Sequence, residues 1–563
     1  MENAIIIIND EDIAGAVQIS KDMDNYRVYI FDPVLVDKAV ASGLQNIEFI
    51  PWENSPLYHE LDTGAHDLAL QLEAVLDHEV RSVIPEVSIV SWQHLNLYYL
   101  FMTINWYSKL WEEFGGEFTN CRVHIFFCSN PARYYFNSFI PSFLLSWNLN
   151  AHGIEFTAHT YGEEQDKSNL IPNLNGVNDS RSAEVFLSHL PTCIYDFEYF
   201  NQEVVSLGKP VINLESKWWN VPIETKGNLG LVDVELLISS LPLDIQEKVS
   251  CFTDELAKPL DVFFQSYILM SDFRDLQVTY IKNLYRSQLV TYFLLNQYFQ
   301  QTKISKILLS DHDAGFHGPI VSFAKKNLLP ILMLPHSKVS SNIQFDYENI
   351  VALTHPTQER DIFNINGKSV AKKFIAYPEF FYGSSMSDKK IRKISLVLNA
   401  PSLNGVYFTS YSVYVTGVKR ILKWCDENGI ELNIRCKPGY SIINILARSI
   451  GADAEMIVHN TNEPLEQFMK KSDLCLVYDT PTTGALSYYR NSIPLLNVIV
   501  EPLTDAEMTR ADSTLSPLES VDDTLLILEK LVSDSSYLHL FRLRQFSQYI
   551  KLFQSAEPLR TYL

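Results

Sequence analysis

The feature that most constrains this chain is an alternation in which short β-branched runs, bounded by turn residues, are separated by stretches of helical length. In the first half the runs are Ile5 to Ile8, Arg27 to Phe31, Val83 to Val90, Arg122 to Cys128, Ile154 to His159, Thr192 to Tyr195 and Pro210 to Leu214. Strands that alternate with helices read as βαβ units, so the pattern predicts an α/β fold with parallel sheets and argues against a sandwich. With 563 residues the chain is too long for one hydrophobic core. Its 47% hydrophobic and 12% aromatic content supplies packed interiors and excludes disorder over most of the length. The balance of 45 basic against 67 acidic residues, 45 − 67 = −22, argues against a nucleic-acid partner. A small anionic ligand stays compatible with that charge, because a few cations and helix N-termini hold an anion locally.

The seven cysteines are scattered without a CxxC pair, so neither a disulfide framework nor a zinc site is readable. Asn3 to Asp10 lacks the basic region and the apolar length of a signal peptide, which leads us to expect a cytoplasmic protein. Leu95 to Trp111 is interrupted by Asn96, Asn105, Ser108 and Lys109 and reads as a buried, aromatic-rich helix rather than a membrane span.

From Val234 to about Gln301 the pattern turns helical, with Tyr280, Tyr285, Tyr292 and Tyr298 along it, and predicts an insertion or lid over 234–301. Lys306 to Ser310, Pro330 to Leu334 and Asn349 to Leu353 read as strands and Pro319 to Lys326 as a helix. Tyr382 to Lys390 carries turn formers and charge and is the expected linker. Beyond it, strands Ile394 to Leu398, Glu431 to Cys436, Met456 to His459, Leu474 to Val477 and Pro494 to Val498 alternate with helices and describe a doubly wound domain. The expected division is an N-terminal Rossmann-like domain over 1–385, a second over 390–535, and an amphipathic helix over 536–563. That helix either packs back across the domains or touches a membrane surface.

GxGxxG, Walker A and GxSxG are all absent. Ligands of open α/β sheets lie outside the carboxyl ends of the strands, so the residues that follow each strand carry the argument. After Glu431 to Cys436 come Lys437 and Pro438, with Arg435 just before; a lysine on an extended exit is able to meet a phosphate, or is simply a solvated turn residue. After Leu474 to Val477 come Asp479, Thr480, Thr482 and Thr483 at a helix start, where hydroxyls and N–H groups either receive an anion or only cap the helix. Strand Lys306 to Ser310 runs into Asp311-His312-Asp313, and Pro330 to Leu334 into Pro335-His336-Ser337. The carboxylates of Asp311 and Asp313 and the ring of His336 are the candidates for acid, base or nucleophile; the plain alternative is loop capping and a satisfied histidine.

Taken in order, Lys437-Pro438, Glu463 and Glu466 around a short helix, Lys471 to Val477, Thr482-Thr483 and Asn491 to Pro494 resemble the donor half of GT-B glycosyltransferases of bacterial capsule and lipopolysaccharide synthesis. The nearest likeness is to those using CMP-activated ulosonic acids, the Kdo transferases among them. Residues 305 to 530 carry the resemblance, and Cys436, Gly439 and Ser337 depart from it. It implies a GT-B-like pair of Rossmann domains facing a cleft, with Arg435, Lys437, Pro438, Asp479, Thr480, Thr482 and Thr483 on the donor and Asp311, Asp313 and His336 in the chemistry. It further implies a metal-independent glycosyltransferase without a cofactor, a nucleotide-sugar donor, and a glycan or lipid-linked glycan acceptor at or near the inner membrane. A non-catalytic subunit of a polysaccharide assembly complex and a CDP-glycerol-type polyol-phosphate transferase are the alternatives.

Overall fold

The structure, a computed structural model, describes residues 2–53, 55–128, 139–161, 170–174, 184–190, 197–215, 228–267, 271–300, 302–310, 316–334, 347–354, 364–365, 368–369, 374–376, 390–403, 405–438, 442–479, 484–501, 518–554, 557 and 559–563. The alternation in the sequence resolves into three mainly parallel sheets. The first holds β1 (Glu2–Ile7), β2 (Tyr26–Ile30), β3 (Ile47–Phe49), β4 (Cys121–Cys128) and β5 (Phe156–Tyr161) in the order β3-β2-β1-β4-β5. Ile5, Ile6 and Ile7 of β1 are fully buried, as a central strand covered on both faces requires.

The second sheet is built from β6 (Val185–His189), β7 (Val211–Leu214), β8 (Asn228–Leu229), β9 (Ile304–Ser310), β10 (Ile331–Leu334), β11 (Ile350–Thr354) and β12 (Phe374–Ala376), ordered β8-β7-β6-β9-β10-β11-β12. The third holds β13 (Lys393–Leu398), β16 (Glu431–Cys436), β17 (Leu474–Tyr478), β18 (Leu495–Ile499) and β19 (Leu518–Ser520), ordered β16-β13-β17-β18-β19. A small antiparallel hairpin, β14 (Ser402–Leu403) and β15 (Val406–Tyr407), leaves the end of β13.

The α/β class therefore stands, and the described part of residues 1–385 holds two large parallel sheets and two small antiparallel strand pairs. The run over 234–301 contains helices Val234–Ile238, Leu243–Glu255, Ala257–Tyr267 and Ser271–Tyr298. Met456 to His459 is not a strand: Asp453 accepts the Glu455 N–H at 2.9 Å and starts the helix Ala454–Asn462, which buries Ile457, Asn460 and Thr461 at helical spacing. Val83 to Val90 is not a strand either. Val83 closes the helix Ser55–Val83, and the loop after it bonds to a side chain instead of a ladder, Asp77 Oδ1 accepting from Ile89 N at 2.8 Å and Ser88 Oγ at 2.9 Å. Conversely, β6 was not expected, because Ser188 and His189 interrupt its apolar run, yet both are buried at the centre of the second sheet. The expected linker over 382–389 and the run Thr192 to Tyr195 lie outside the described residues.

The helix Ser535–Gln554 packs on the unit built around the third sheet, called here the third domain as the unit around the first sheet is the first: the Gln545 amide bonds both the N–H and the carbonyl of Leu495, at 3.0 and 2.6 Å, and Tyr549 is buried beside Tyr489. The chain then returns to the second sheet, where Leu559 joins the apolar cluster under β6 and the Lys306 ammonium bonds the terminal main-chain oxygens of Tyr562 and Leu563. Among the described residues no helix is long and apolar enough to cross a membrane.

The helix His94–Phe114 and the loop before it join the first sheet to the second. Trp92 lies against the helix His317–Asn327 that follows β9, and its indole N–H donates to Ser322 Oγ at 3.0 Å. A Cβ placed on Gly318 would come within 2.7 Å of the Trp92 main chain, so only glycine allows this approach. Gly318→Ala is expected to destabilise the protein by about 1–3 kcal/mol, the usual cost of overpacking. A urea melt that matches wild type would show that the Trp92 loop yields freely.

Candidate functional site

In the third sheet the strand order reverses between β13 and β17, and ligands of open α/β sheets bind at the carboxyl side of such a switch point. Asp479 is the first residue beyond β17. It holds a left-handed backbone at φ +78°, unusual for a residue other than glycine, and is buried. Its N–H donates to the Val498 carbonyl at 2.8 Å, and both carboxylate oxygens accept from Thr409 Oγ1 at 2.8 and 2.9 Å. Backbone strain of this kind costs on the order of 1–3 kcal/mol and persists only where surrounding bonds enforce it. The next residue described after Asp479 is Gly484, where the helix Gly484–Arg490 begins.

Lys437 is the first residue beyond β16, which lies two strands from β17, so the two strand ends are about 10 Å apart by ordinary strand spacing. Its side chain reaches solvent, yet protein around the ammonium desolvates it enough to lower its pKa. Pro438 follows in a turn at the surface. The structure thus places Lys437, Pro438 and Asp479 on one sheet edge.

Arg435 has another occupation. It is buried, its Nη1 donates to the carbonyls of Asn460 and Glu463 at 2.5 Å each, and its guanidinium lies 5.5 Å from the Phe468 ring centroid. It closes the C-terminus of the helix Ala454–Asn462, which accounts for the residue without a ligand. Thr480, Thr482, Thr483, Asp311, Asp313 and His336 lie outside the described residues.

Two other helix starts on this edge are already occupied by the first domain. Glu53 accepts the Ser412 N–H at 2.9 Å and its hydroxyl at 2.9 Å, at the start of the helix Tyr411–Glu427. Asp37 accepts the Asn444 N–H at 3.0 and 3.1 Å, at the start of the helix Ile443–Ile450. Burial raises the Asp37 pKa against the pull of these N–H groups. The hairpin β14–β15 completes the contact, with Ser402 Oγ donating to Asp32 at 2.8 Å and the Trp106 indole to the Gly405 carbonyl at 2.9 Å. Nothing in the sequence singled out Asp32, Asp37 or Glu53, since helix starts and their caps lie hundreds of residues apart. A depression of about 630 Å³ lies outside β16 among Asn444, Val458, His459 and Gln467, but Glu455 and Glu463 line it too and suit no phosphate.

The carboxyl edge of the first sheet carries a further carboxylate that the sequence reading passed over. Asp12 is buried and accepts the N–H groups of Ile8 and Asn9 at 2.9 Å each. Burial outweighs these bonds and pushes its pKa up to about 6.

The sequence matches no protein-family model and no curated protein. Solved structures similar in part include the glycosyltransferase SnogD from Streptomyces nogalater, with 11% identity over 68% of this chain and 98% of that one at a TM-score of 0.33. The spinosyn rhamnosyltransferase SpnG complexed with thymidine diphosphate shows 13% identity over 68% of this chain and 98% of its own, at a TM-score of 0.32. A UDP-N-acetylglucosamine 2-epimerase shows 10% identity over 66% and 94%, also at 0.32. Likeness at this level decides neither substrate nor reaction.

The Asp12 carboxyl yields a prediction with a definite sign. Its folded pKa of about 6 lies above the unfolded value of 3.8, so the ionised folded state is penalised above pH 6 and relieved as pH falls toward 4. Relative to Asp12→Asn, which does not titrate, wild-type stability is expected to rise between pH 7.5 and 4.5, by an amount on the order of 2 kcal/mol. Parallel thermal melts of the two proteins measure it; curves that keep a constant separation would place the Asp12 pKa outside this window.

Proposed function

We propose that the chain is a glycosyltransferase of the GT-B kind, taking a sugar from a nucleotide donor held at the carboxyl edge of the third sheet. The observation that carries the reading is the strained, buried Asp479 at the switch point of that sheet, on the same edge as Lys437. The tail that returns from the third domain to the second sheet supports it by pairing two doubly wound units through one chain. In this reading Lys437 neutralises the donor phosphate, and Thr480, Thr482 and Thr483 offer hydroxyls to it. Asp479 holds the turn in register through Thr409. Asp311 or Asp313 acts at the anomeric carbon or on the acceptor hydroxyl, and His336 orients or protonates.

The donor we favour is a CMP-linked ulosonic acid such as Kdo, and the acceptor a bacterial surface glycan or its lipid-linked precursor. Glu53 and Asp37 fill two helix starts on the edge, so fewer anion contacts remain, and a single phosphodiester demands fewer than a diphosphate does. A divalent cation is not needed where lysine and N–H groups balance the phosphate charge. The protein works in the cytoplasm in this reading, with the acceptor bringing it to the inner membrane.

Isothermal titration with CMP, UDP and GDP, followed by their sugar conjugates, tests the proposal directly. Lys437→Ala is expected to weaken donor binding by about 1.5–3 kcal/mol, the range of a charge-assisted contact, and to leave the melting temperature unchanged. Equal affinity in the variant would remove Lys437 from the site. Replacing Thr482 and Thr483 together by valine should lower donor affinity with little loss of stability; easier unfolding with intact binding would make the pair helix caps alone. An Asp311→Asn or Asp313→Asn variant should bind donor normally and turn over at least about 100-fold more slowly. Near-normal turnover in both variants would sink the carboxylate's role.

A further inference from the structure

A groove runs along the outer face of the helix Ala454–Asn462, which packs beside β16. It is the depression of about 630 Å³ described above, a volume in the ordinary range of ligand sites. Glu455, Val458, His459 and Asn462 stand at i, i+3, i+4 and i+7 and line it, so it extends about 10 Å along the helix. Asn444, in the helix Ile443–Ile450, and Gln467, in the helix Leu465–Met469, complete its lining.

Bonds from several elements hold this shape. Asp453 starts the helix by accepting the Glu455 N–H at 2.9 Å, and Arg435 closes its other end on the carbonyls of Asn460 and Glu463. The Glu463 carboxylate lies 2.7 Å from the Lys471 ammonium. Asn444 is fixed from outside, its N–H donating to Asp37 of the first domain at 3.0 and 3.1 Å. The groove is therefore formed before any ligand arrives, which spares the ligand the cost of ordering it.

The side chains of Glu455, His459, Asn462 and Gln467 are exposed and make no hydrogen bond or ion pair among the described residues. They present donors and acceptors in planar groups, carboxylate, imidazole and amide, which exchange bound water for a ligand's hydroxyls at little cost. Val458, 39% exposed, and Ala454 add an apolar strip that suits the C–H face of a sugar ring. Charge narrows the choice of ligand. Glu455 repels phosphates, and Glu463 is already balanced by Lys471, so the remaining field is too weak to hold a polycation. An ordinary solvated helix face offers such groups on a convex surface, whereas the two neighbouring helices make a trough of this one.

We infer that this groove binds a neutral, hydroxyl-rich glycan chain. Asn444 follows Pro438 by six residues and its helix starts on the edge where Lys437 lies, so one end of the groove adjoins that edge. Resting on the glycosyl-transfer reading, the chain held there is the acceptor, anchored beside the donor edge while its growing end reaches the sugar. A second contact of this kind raises the effective concentration of a long acceptor at the first. No bond is made or broken in the groove itself.

Saturation-transfer NMR on the full-length protein tests this with three neutral probes, maltotriose, cellotriose and triacetylchitotriose. At least one should be saturated by the wild-type protein, with an affinity that stays constant between about 50 and about 500 mM NaCl, as an uncharged ligand requires. His459→Ala combined with Gln467→Ala should lower that affinity at least about tenfold, the loss expected for two hydrogen-bonding side chains. The melting temperature should not move, because both residues are exposed. No saturation by any of the three probes, or equal affinity in the double variant, overturns the proposal. Binding of trilysine in place of the sugars, fading as salt rises, also overturns it and makes the groove a site for basic peptides. Calorimetry with CMP, UDP and GDP keeps the two readings apart. Sugar binding that the double variant loses, in a protein that binds no nucleotide, upholds the groove and overturns the transferase reading; nucleotide binding without sugar binding overturns the groove alone.

Discussion

The structure depends on how the first domain is seated on the third. Asp32, Asp37 and Glu53 each leave the first domain and end on N–H or hydroxyl donors of the third. These contacts do not glue the two together. Asp32 is buried and receives the Val34 N–H and the Ser402 hydroxyl, yet its pKa is raised, so desolvation outweighs the donors that hold it. The attraction comes from the rings around it: Trp52, Trp106, Tyr107 and Tyr407 are all buried, and Trp52 meets Trp106 edge to face at 4.5 Å. An aromatic side chain buries about 150–250 Å², which at about 25 cal/mol per Å² contributes several kcal/mol per ring. The carboxylates fix where this apolar surface lands, because each fits only a helix start or a turn with donors to spare.

That division of labour decides what was legible in the sequence. Strands of the third sheet announce themselves through short β-branched runs, since a parallel strand covered on both faces must be apolar throughout. The same rule hides β6, whose Ser188 and His189 are polar and nevertheless buried at the centre of a sheet. It also misleads at Met456 to His459, where four residues fit either period and only the Asp453 cap identifies a helix. The split of residues 1–385 between two large parallel sheets was not legible at all, because strand order is a matter of pairing and leaves no local trace.

Within the site, legibility follows the same line. Lys437, Pro438 and Asp479 were readable because they immediately follow strands, and the carboxyl edge of a parallel sheet is where such residues gather. Arg435 was readable as a cation but not as a helix cap, since its carbonyl partners Asn460 and Glu463 are 25 and 28 residues away. Away from that edge, the polar residues Glu73, His94 and His66 belong to no motif. One trace of them was present: Asp62, His66, Glu73 and Asp77 follow one another at helical spacing beside the buried Ala65, Ala69, Leu72 and Leu76. Polar residues at the border of an apolar stripe are costly unless paired, and that pattern asks for partners on a second helix.

The donor we propose is anionic and the chain carries a net charge of −22, and the docking contact reconciles the two. Exposed charges farther off than about 8 Å are largely screened at physiological ionic strength, so the ligand meets only the charges lining its own edge. On that edge Glu53 and Asp37 are already bonded to N–H groups of helix starts, and Asp479 to Thr409. Each such pairing offsets a carboxylate with a partial positive charge aimed at it, which shortens the reach of its field. Lys437 lies on the same edge, and burial lowers the pKa of its ammonium. Docking of the first domain thereby does two things at once: it buries the rings that hold the molecule together, and it pairs carboxylates that would otherwise repel the donor we propose.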